Sequence, residues 1–151
     1  MKCAAELIAI KKQAEYEHQM EMRRKDDECR ARQAELKIIA INYCEEYIGN
    51  KLETLAKENK SMIVRIDGIV RTDRLGKEYF YRLIETPNSY ANGNSSFDPD
   101  MSNPLDLSAI VEYLDKFCIK VTSRVQYYDR YGWGSIEGLE LEIKPDPLCQ
   151  K

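Results

Sequence analysis

Residues 1–57 show two hydrophobic patterns in succession. Neither glycine nor proline occurs from residue 1 to residue 48, so no residue there favours a helix break. Before Leu36 charged residues fall on every side of a helix, with opposite charges one turn apart. After Leu36 an apolar stripe recurs every three or four residues, at Ile39, Ala40, Tyr43, Cys44, Tyr47, Ile48, Leu52 and Leu55. The pattern predicts one helix ending near Lys57, which projects as a solvated arm over 1–35 and enters a core from residue 36.

Four later segments alternate in the manner of β-strands: 62–70, 77–85, 119–131 and 136–144. The first is rich in β-branched residues, with Val64, Ile66, Gly68 and Val70 on one side. A turn signal at 73–76 joins the first two segments, and 132–134 separates the last two. The sequence therefore predicts two hairpins.

The segment between the hairpins is predicted to contain a loop and a second helix. Residues 86–103 have loop composition, and a structureless connection of that length is usually functional or disordered. Asn103 and Pro104 then resemble a helix cap followed by a first-turn proline. The apolar face of this helix is formed by Leu107, Ile110, Val111, Leu114, Phe117 and Cys118.

These elements predict an α+β fold: a long N-terminal helix followed by a four-stranded antiparallel sheet, in the order α-β-β-α-β-β, with the helices on one face. The domain is expected to span 36–147, with a tail at 148–151. The strand order stays open at this stage.

Composition restricts the partners and the compartment. Charged residues make up 32% of the chain but the net charge is only -3, so any contact with nucleic acid must be local, and nucleic acid is possible but not favoured. There is no apolar run near 18 residues and no secretory signal pattern at 1–10, so we expect a cytoplasmic protein, of a bacterial host, without membrane contact.

Metal and disulfide sites are not expected. The five cysteines are scattered without a close pair, and His18 is the single histidine, so neither a zinc site nor a disulfide framework is indicated. Cys44 and Cys118 are expected on buried helical faces.

Catalytic chemistry also has few candidate residues. No Ser-His-Asp type site or phosphate-binding glycine loop is found, so we expect no enzyme, no cofactor and no catalytic residue. A metal-dependent nuclease using Asp100, Glu142 and Lys144 is the third and least favoured alternative, because Asp100 falls in a predicted loop and the other two fit the solvent side of a strand.

The remaining candidates are aromatic and basic residues of the hairpins and the loop. Arginine binds phosphate bidentately and flat rings stack on bases, whereas tyrosine, tryptophan and arginine are also enriched in protein-protein hot spots. The simplest interpretation is a soluble sheet face, since tyrosine is favoured in strands and interleaved arginine keeps such a face soluble. The candidate binding residues are Arg65, Arg71, Tyr79, Tyr81, Tyr90, Phe97, Arg124, Tyr128, Arg130 and Trp133.

A helix rich in lysine and glutamate, followed by a tyrosine-rich sheet with a Tyr-x-x-Tyr-Gly-Trp segment at 128–133, resembles small accessory proteins of bacteriophages that infect low-GC bacteria. The resemblance implies a non-enzymatic binder of the anti-defence type, such as an anti-CRISPR inhibitor or an oligomeric protein that sequesters cyclic-nucleotide or ADP-ribose signals. It transfers no functional residue.

Our first expectation is a non-catalytic binding protein that forms a homo-oligomer through its N-terminal helix and engages a macromolecule, preferably a protein. A free helix of about 35 residues would span roughly 50 Å with little to shield it, which favours a partner helix. The alternative is a protein that sequesters a nucleotide-like ligand between protomers, with Arg65, Arg71 and Arg124 holding phosphates.

Overall fold

The computed structural model describes residues 1–87, 95–129 and 135–149. The chain begins with helix α1 (Ala4–Tyr43), continues through a π-helical turn (Cys44–Gly49) and ends this first element with helix α2 (Asn50–Lys57). The predicted continuous helix ending at Lys57 is therefore confirmed, with a π-helical turn inside it. No helix in the described part of the chain is long and apolar enough to cross a membrane.

The π-helical turn has a cause in the spacing of the buried residues. Leu36, Ala40, Cys44, Ile48 and Leu52 are all buried, and they recur every four residues. In an α-helix, with 3.6 residues per turn, a spacing of four rotates the stripe by about 40° at each step. The wider π-helical turn reverses part of this drift and keeps the five side chains on the sheet.

A five-stranded antiparallel sheet forms the other layer. Its strands are β1 (Val64–Thr72), β2 (Glu78–Pro87), β3 (Ser95–Asp106), β4 (Ile119–Asp129) and β5 (Ser135–Pro145), and helix α3 (Leu107–Asp115) lies between β3 and β4 in the chain. The strand order is β3-β2-β1-β5-β4. The α+β class and the two hairpins are confirmed, whereas the prediction of four strands is wrong.

Strand β3 replaces the predicted loop end and the predicted helix start. It pairs with the outer edge of β2 from Pro87 and Ser95 to Tyr79 and Asp106. Its prolines are tolerated because an edge strand needs no N–H on its free side. The cap of α3 is Asp106, whose Oδ1 accepts a hydrogen bond of 3.2 Å from the Ala109 N–H. The helix therefore begins three residues later than the predicted Pro104 position.

One hydrophobic core lies between the helices and the sheet. The helical segments and α3 bury one face of the strands, where Val64 and Ile66 of β1 pack beside Leu141 and Ile143 of β5. Phe80 of β2 is fully buried in the same cluster. Arg65 and Asp67 of β1 alternate with these residues, as do Glu140 and Glu142 of β5, and they lie on the opposite face, which agrees with the predicted alternation.

The turn between β1 and β2 is built around Asp73. Its Oδ1 accepts hydrogen bonds from the N–H groups of Leu75 and Lys77, at 2.9 and 3.0 Å. Gly76 has a φ of 83°, in the left-handed region that favours glycine. This is the reversal predicted at 73–76.

The same turn contacts α1, and we call this the helix–turn contact. The Nε2 of Gln33 donates to Asp73 Oδ2 at 2.9 Å, Cys29 Sγ lies 3.4 Å from that oxygen, and Arg74 Nε lies 2.7 Å from Asp26 Oδ1. Contacts between the long helix and the hairpin thus begin before residue 36. Residues 1–21 are exposed throughout.

A disulfide joins Cys118, just after α3, to Cys149 in the C-terminal segment. The expectation of no disulfide, with Cys118 on a helical face, is therefore wrong. The β4–β5 register explains the proximity: Ile119 pairs with Pro145, so residues preceding β4 and following β5 come together. Their 31-residue separation along the chain gave no sign of this. Cys44 is a buried free thiol, as predicted.

Candidate functional site

Two of the candidate arginines belong to an ion-pair cluster on the face of the sheet away from the helices. Arg124 Nη2 lies 3.0 Å from Glu140 Oε1, and Arg65 lies 3.9 Å from the same oxygen. Arg65 also lies 3.7 Å from Glu142, which Lys144 approaches to 3.4 Å. Since three cations share two carboxylates, this cluster has an excess of one positive charge, too little to compensate a doubly charged phosphate.

Arg71, Tyr79 and Tyr81 lie together on the β1–β2 hairpin. Arg71 is opposite Tyr79 in the register, and Tyr81 is the next residue on the same side of β2. Tyr79 is only 3% exposed, and burial, with Asp106 as the next cause, raises the pKa of its hydroxyl to about 12. Its ring therefore packs inside the protein, while Arg71 is exposed.

The structure places two of the other five candidates on strands. Phe97 belongs to β3 and Tyr128 to β4. Tyr90, Arg130 and Trp133 lie outside the described residues.

The strand order separates the residues proposed for a nuclease. Asp100 belongs to β3 and Glu142 to β5, and both β2 and β1 lie between these strands. At about 4.8 Å per strand, the two backbones are roughly 14 Å apart. Asp100 instead accepts hydrogen bonds from Ser102 Oγ at 2.6 Å and Asn103 Nδ2 at 2.9 Å, which lower the pKa of its carboxyl. Within the described ranges no group of His, Cys, Asp and Glu side chains is arranged to hold a metal ion.

A groove of about 740 Å³ lies between α3 and the start of β4. Four of its lining residues are apolar: Leu107, Val111, Ile119 and Val121. Its charged lining residues are Glu78, Glu112, Asp115 and Lys120, so acidic groups predominate. Farther along the same side of β4, Val125 is 52% and Tyr127 68% exposed. The groove therefore continues into an uncovered apolar strip.

Strand β4 is also one edge of the sheet. The other edge, β3, contains Pro99 and Pro104, and its register shifts between the partners of Tyr81 and Leu83. Strand β4 has 11 residues without proline and keeps an unbroken register with β5. Its outer edge therefore offers backbone N–H and C=O groups suited to another strand.

A cleft of about 420 Å³ opens where β1 and β2 separate. The two strands pair only from Gly68 and Arg82 to Thr72 and Glu78. Beyond Gly68, β1 continues beside β5, and beyond Arg82, β2 continues beside β3. The cleft is lined by Ile66, Arg82, Leu83 and Ile84 of these strands and by Tyr43 and Tyr47 of the long helix, with Arg65 and Asp67.

The aromatic side of this cleft has cations above its rings. The Tyr43 and Tyr47 rings stack with centroids 5.0 Å apart. Arg82 Cζ lies 5.0 Å from the Tyr43 centroid, and Lys51 Nζ lies 5.5 Å from the Tyr47 centroid. Sequence reasoning placed both tyrosines in the buried stripe and did not identify this cleft. The available signal was the presence of two hydroxyl-bearing rings, four residues apart, in an otherwise aliphatic stripe.

Comparisons with protein-family models, with curated proteins and with solved structures found no match. Function must therefore be inferred from the geometry of this chain.

Proposed function

We propose that this chain is a non-catalytic binding protein whose partner is another protein, docked on the free edge of β4 and the adjoining groove under α3. One observation carries the proposal: an 11-residue edge strand without proline runs beside an exposed apolar strip. Strand addition would supply backbone hydrogen bonds, and the groove would select side chains.

The charge of the groove favours a protein segment over nucleic acid. Glu78, Glu112 and Asp115 line it with a single lysine, Lys120. This acidic lining would repel a phosphate backbone but attract a basic side chain. The partner that fits is an extended segment with alternating apolar side chains and a flanking lysine or arginine.

The resemblance to phage accessory proteins supports the same class of function. It implies that the partner is a component of a host defence system and that the chain acts as an inhibitor. Tyr128, one of the candidate binding residues, belongs to β4 itself.

Charge substitutions on the two faces of β4 test the docking surface. The tagged wild-type chain would first be used to isolate its partner from host cells, and the affinity of the purified pair would be measured by calorimetry. Val125→Lys places a charge in the apolar strip, so we expect at least a tenfold loss of affinity. Thr122→Lys adds the same charge to the same strand on the face shared with Glu142 and should change affinity less than threefold. Equal affinities for Val125→Lys and the wild type would refute docking at this strip.

We further propose that the N-terminal part of α1 pairs with a second copy of the chain. Residues 1–21 are exposed, and Leu7, Ile8 and Ile10 each retain about half of their accessible surface, at 54%, 56% and 48%. A lone helical segment is marginal in water without packing. Light scattering should give a dimer or larger assembly for the full chain and a smaller one for a chain lacking residues 1–20. That truncation keeps Asp26 and Gln33, which a cut at residue 36 would remove. Monomers in both cases would exclude this assembly.

A further inference from the structure

The cleft between β1 and β2 contains two buried polar atoms that lack hydrogen-bond partners among the described residues: the Tyr43 hydroxyl oxygen and Arg82 Nε. Buried polar groups in folded proteins nearly always have a partner, because leaving one unpaired is costly. Both residues line the same cleft. An occupant with hydrogen-bond acceptors would satisfy both donors at once.

We propose that this cleft binds a small monocarboxylate with an apolar body, such as an aromatic or medium-chain aliphatic acid. A planar carboxylate matches the fork of a guanidinium, which can donate from Nε and a terminal nitrogen together. The Tyr43 hydroxyl supplies a further donor, and it lies near enough to Arg82 for the guanidinium to oppose the rise that burial causes in its pKa. Contact with the Tyr43 ring holds the Arg82 guanidinium at the cleft before any ligand arrives.

The charges of the cleft allow at most a single negative charge on the ligand. Its charged lining residues are Arg65, Arg82 and Asp67, which sum to one positive charge. Arg65 is shared with the glutamates of the ion-pair cluster. Asp100 lies near enough to Arg82 for the guanidinium to help lower its pKa, but that carboxylate is already hydrogen-bonded within β3. A phosphate with two charges would be under-compensated here.

The size and walls of the cleft indicate the rest of the ligand. Ile66, Leu83 and Ile84 supply aliphatic surface, and the Tyr43 and Tyr47 rings supply flat surface. A volume of about 420 Å³ lies within the range of small-ligand pockets, roughly 300–1,000 Å³, and far exceeds the ~30 Å³ of one water. Tyr47 belongs to the π-helical turn, an element often found at functional sites.

Titration with phenylacetate and octanoate, followed by amide and side-chain NMR shifts, tests the site. We expect saturable one-site binding, with shifts at the Tyr43 ring and the Arg82 Nε–H. Phenylacetamide, which has the same shape without the charge, should bind at least tenfold more weakly. Tyr43→Phe and Arg82→Lys should each reduce the affinity for phenylacetate by about tenfold or more, the usual loss for a hydrogen bond to a charged group.

Two variants serve as matched controls. Tyr113→Phe removes a tyrosine hydroxyl outside the cleft, whose partner is Glu45, and Arg71→Lys makes the arginine change outside the cleft. Both should bind phenylacetate within twofold of the wild type. Thermal unfolding of each variant checks that it is folded. If Arg82→Lys does not fold, the affinity of Tyr43→Phe for phenylacetate alone tests the proposal.

Four results would overturn the proposal: no saturable binding of either acid at millimolar concentration, equal binding of the amide, binding of AMP in place of the acids, or equal losses in Arg71→Lys and Arg82→Lys. The cleft involves β1 and β2 and not the edge strand β4. Failure of the carboxylate-binding proposal would therefore leave the protein-docking proposal unaffected.

Discussion

Replacing Gly68 by alanine should destabilise the protein by about 2 kcal/mol. A Cβ at this position would lie 2.4 Å from Cζ and 2.7 Å from Cε1 of Phe80, and 2.5 Å from the carbonyl oxygen of Tyr81. Phe80 is fully buried and the carbonyl belongs to the paired strand, so neither can move without disturbing the sheet. Overpacking lowers the free energy of unfolding by up to about 3 kcal/mol. Alanine has less backbone entropy than glycine in the unfolded chain, and this difference offsets about 0.5–1 kcal/mol of that loss.

Urea unfolding followed by circular dichroism measures this change. With a slope near 2 kcal/mol/M, a loss of about 2 kcal/mol lowers the midpoint by about 1 M. Gly49→Ala is the matched control, because a Cβ there would lie 3.4 Å from the Cys44 carbonyl oxygen, at the edge of ordinary contact. Gly49 is helical, so its alanine variant should gain about 0.5–1 kcal/mol. A Gly68→Ala protein as stable as the wild type would show that Phe80 does not lie across the strand at this position.

Three further changes have expected outcomes in unfolding measurements. Tyr43→Phe removes a buried hydroxyl without a partner and should raise the free energy of unfolding by about 1 kcal/mol in the absence of ligand; a loss of that size would mean that the hydroxyl is bonded. Burial opposes ionisation of Asp73, but hydrogen bonds led by that from Gln33 give a net lowering of its pKa. Its contribution is therefore present above about pH 4 and lost as the pH falls through the folded-state pKa, so Asp73→Asn should flatten the acid limb of a stability titration, and an unchanged limb would exclude that contribution. Cys149→Ser opens a 31-residue loop and should cost about 3–4 kcal/mol, with no further loss on adding reductant; equal stability of variant and oxidised wild type would contradict a structural disulfide.

The helices and both hairpins could be predicted because their signals are local. The four-residue and two-residue periodicities of apolar side chains specify which residues face the core, and the turn at Asp73 and Gly76 has its own chemistry. Strand β3 could not be found in this way. Residues 95–106 are mostly polar and contain two prolines, and they become a strand because the outer edge of β2 supplies their hydrogen bonds. This pairing depends on tertiary structure, so it produces no periodic pattern in the sequence.

The binding surfaces depend on register, which the sequence does not reveal. Arg65 and Arg124 look like available cations in the sequence, but the pairing of β1, β5 and β4 sets them beside Glu140. The cleft exists because β1 and β2 are paired over only five residue pairs and then separate. The sequence pattern placed Tyr43 in the apolar stripe, but only the fold shows that it lines the cleft between β1 and β2.

The helix–turn contact fixes the direction in which the long helix extends from the domain. About 18 residues of α1 precede Met22, the first residue that touches the turn, and they reach roughly 27 Å outward. A swing of 10° at Asp26 and Arg74 would displace the far end of the helix sideways by about 5 Å. In the dimer that we propose, the three contacts at the turn would therefore together set the angle at which the two arms meet.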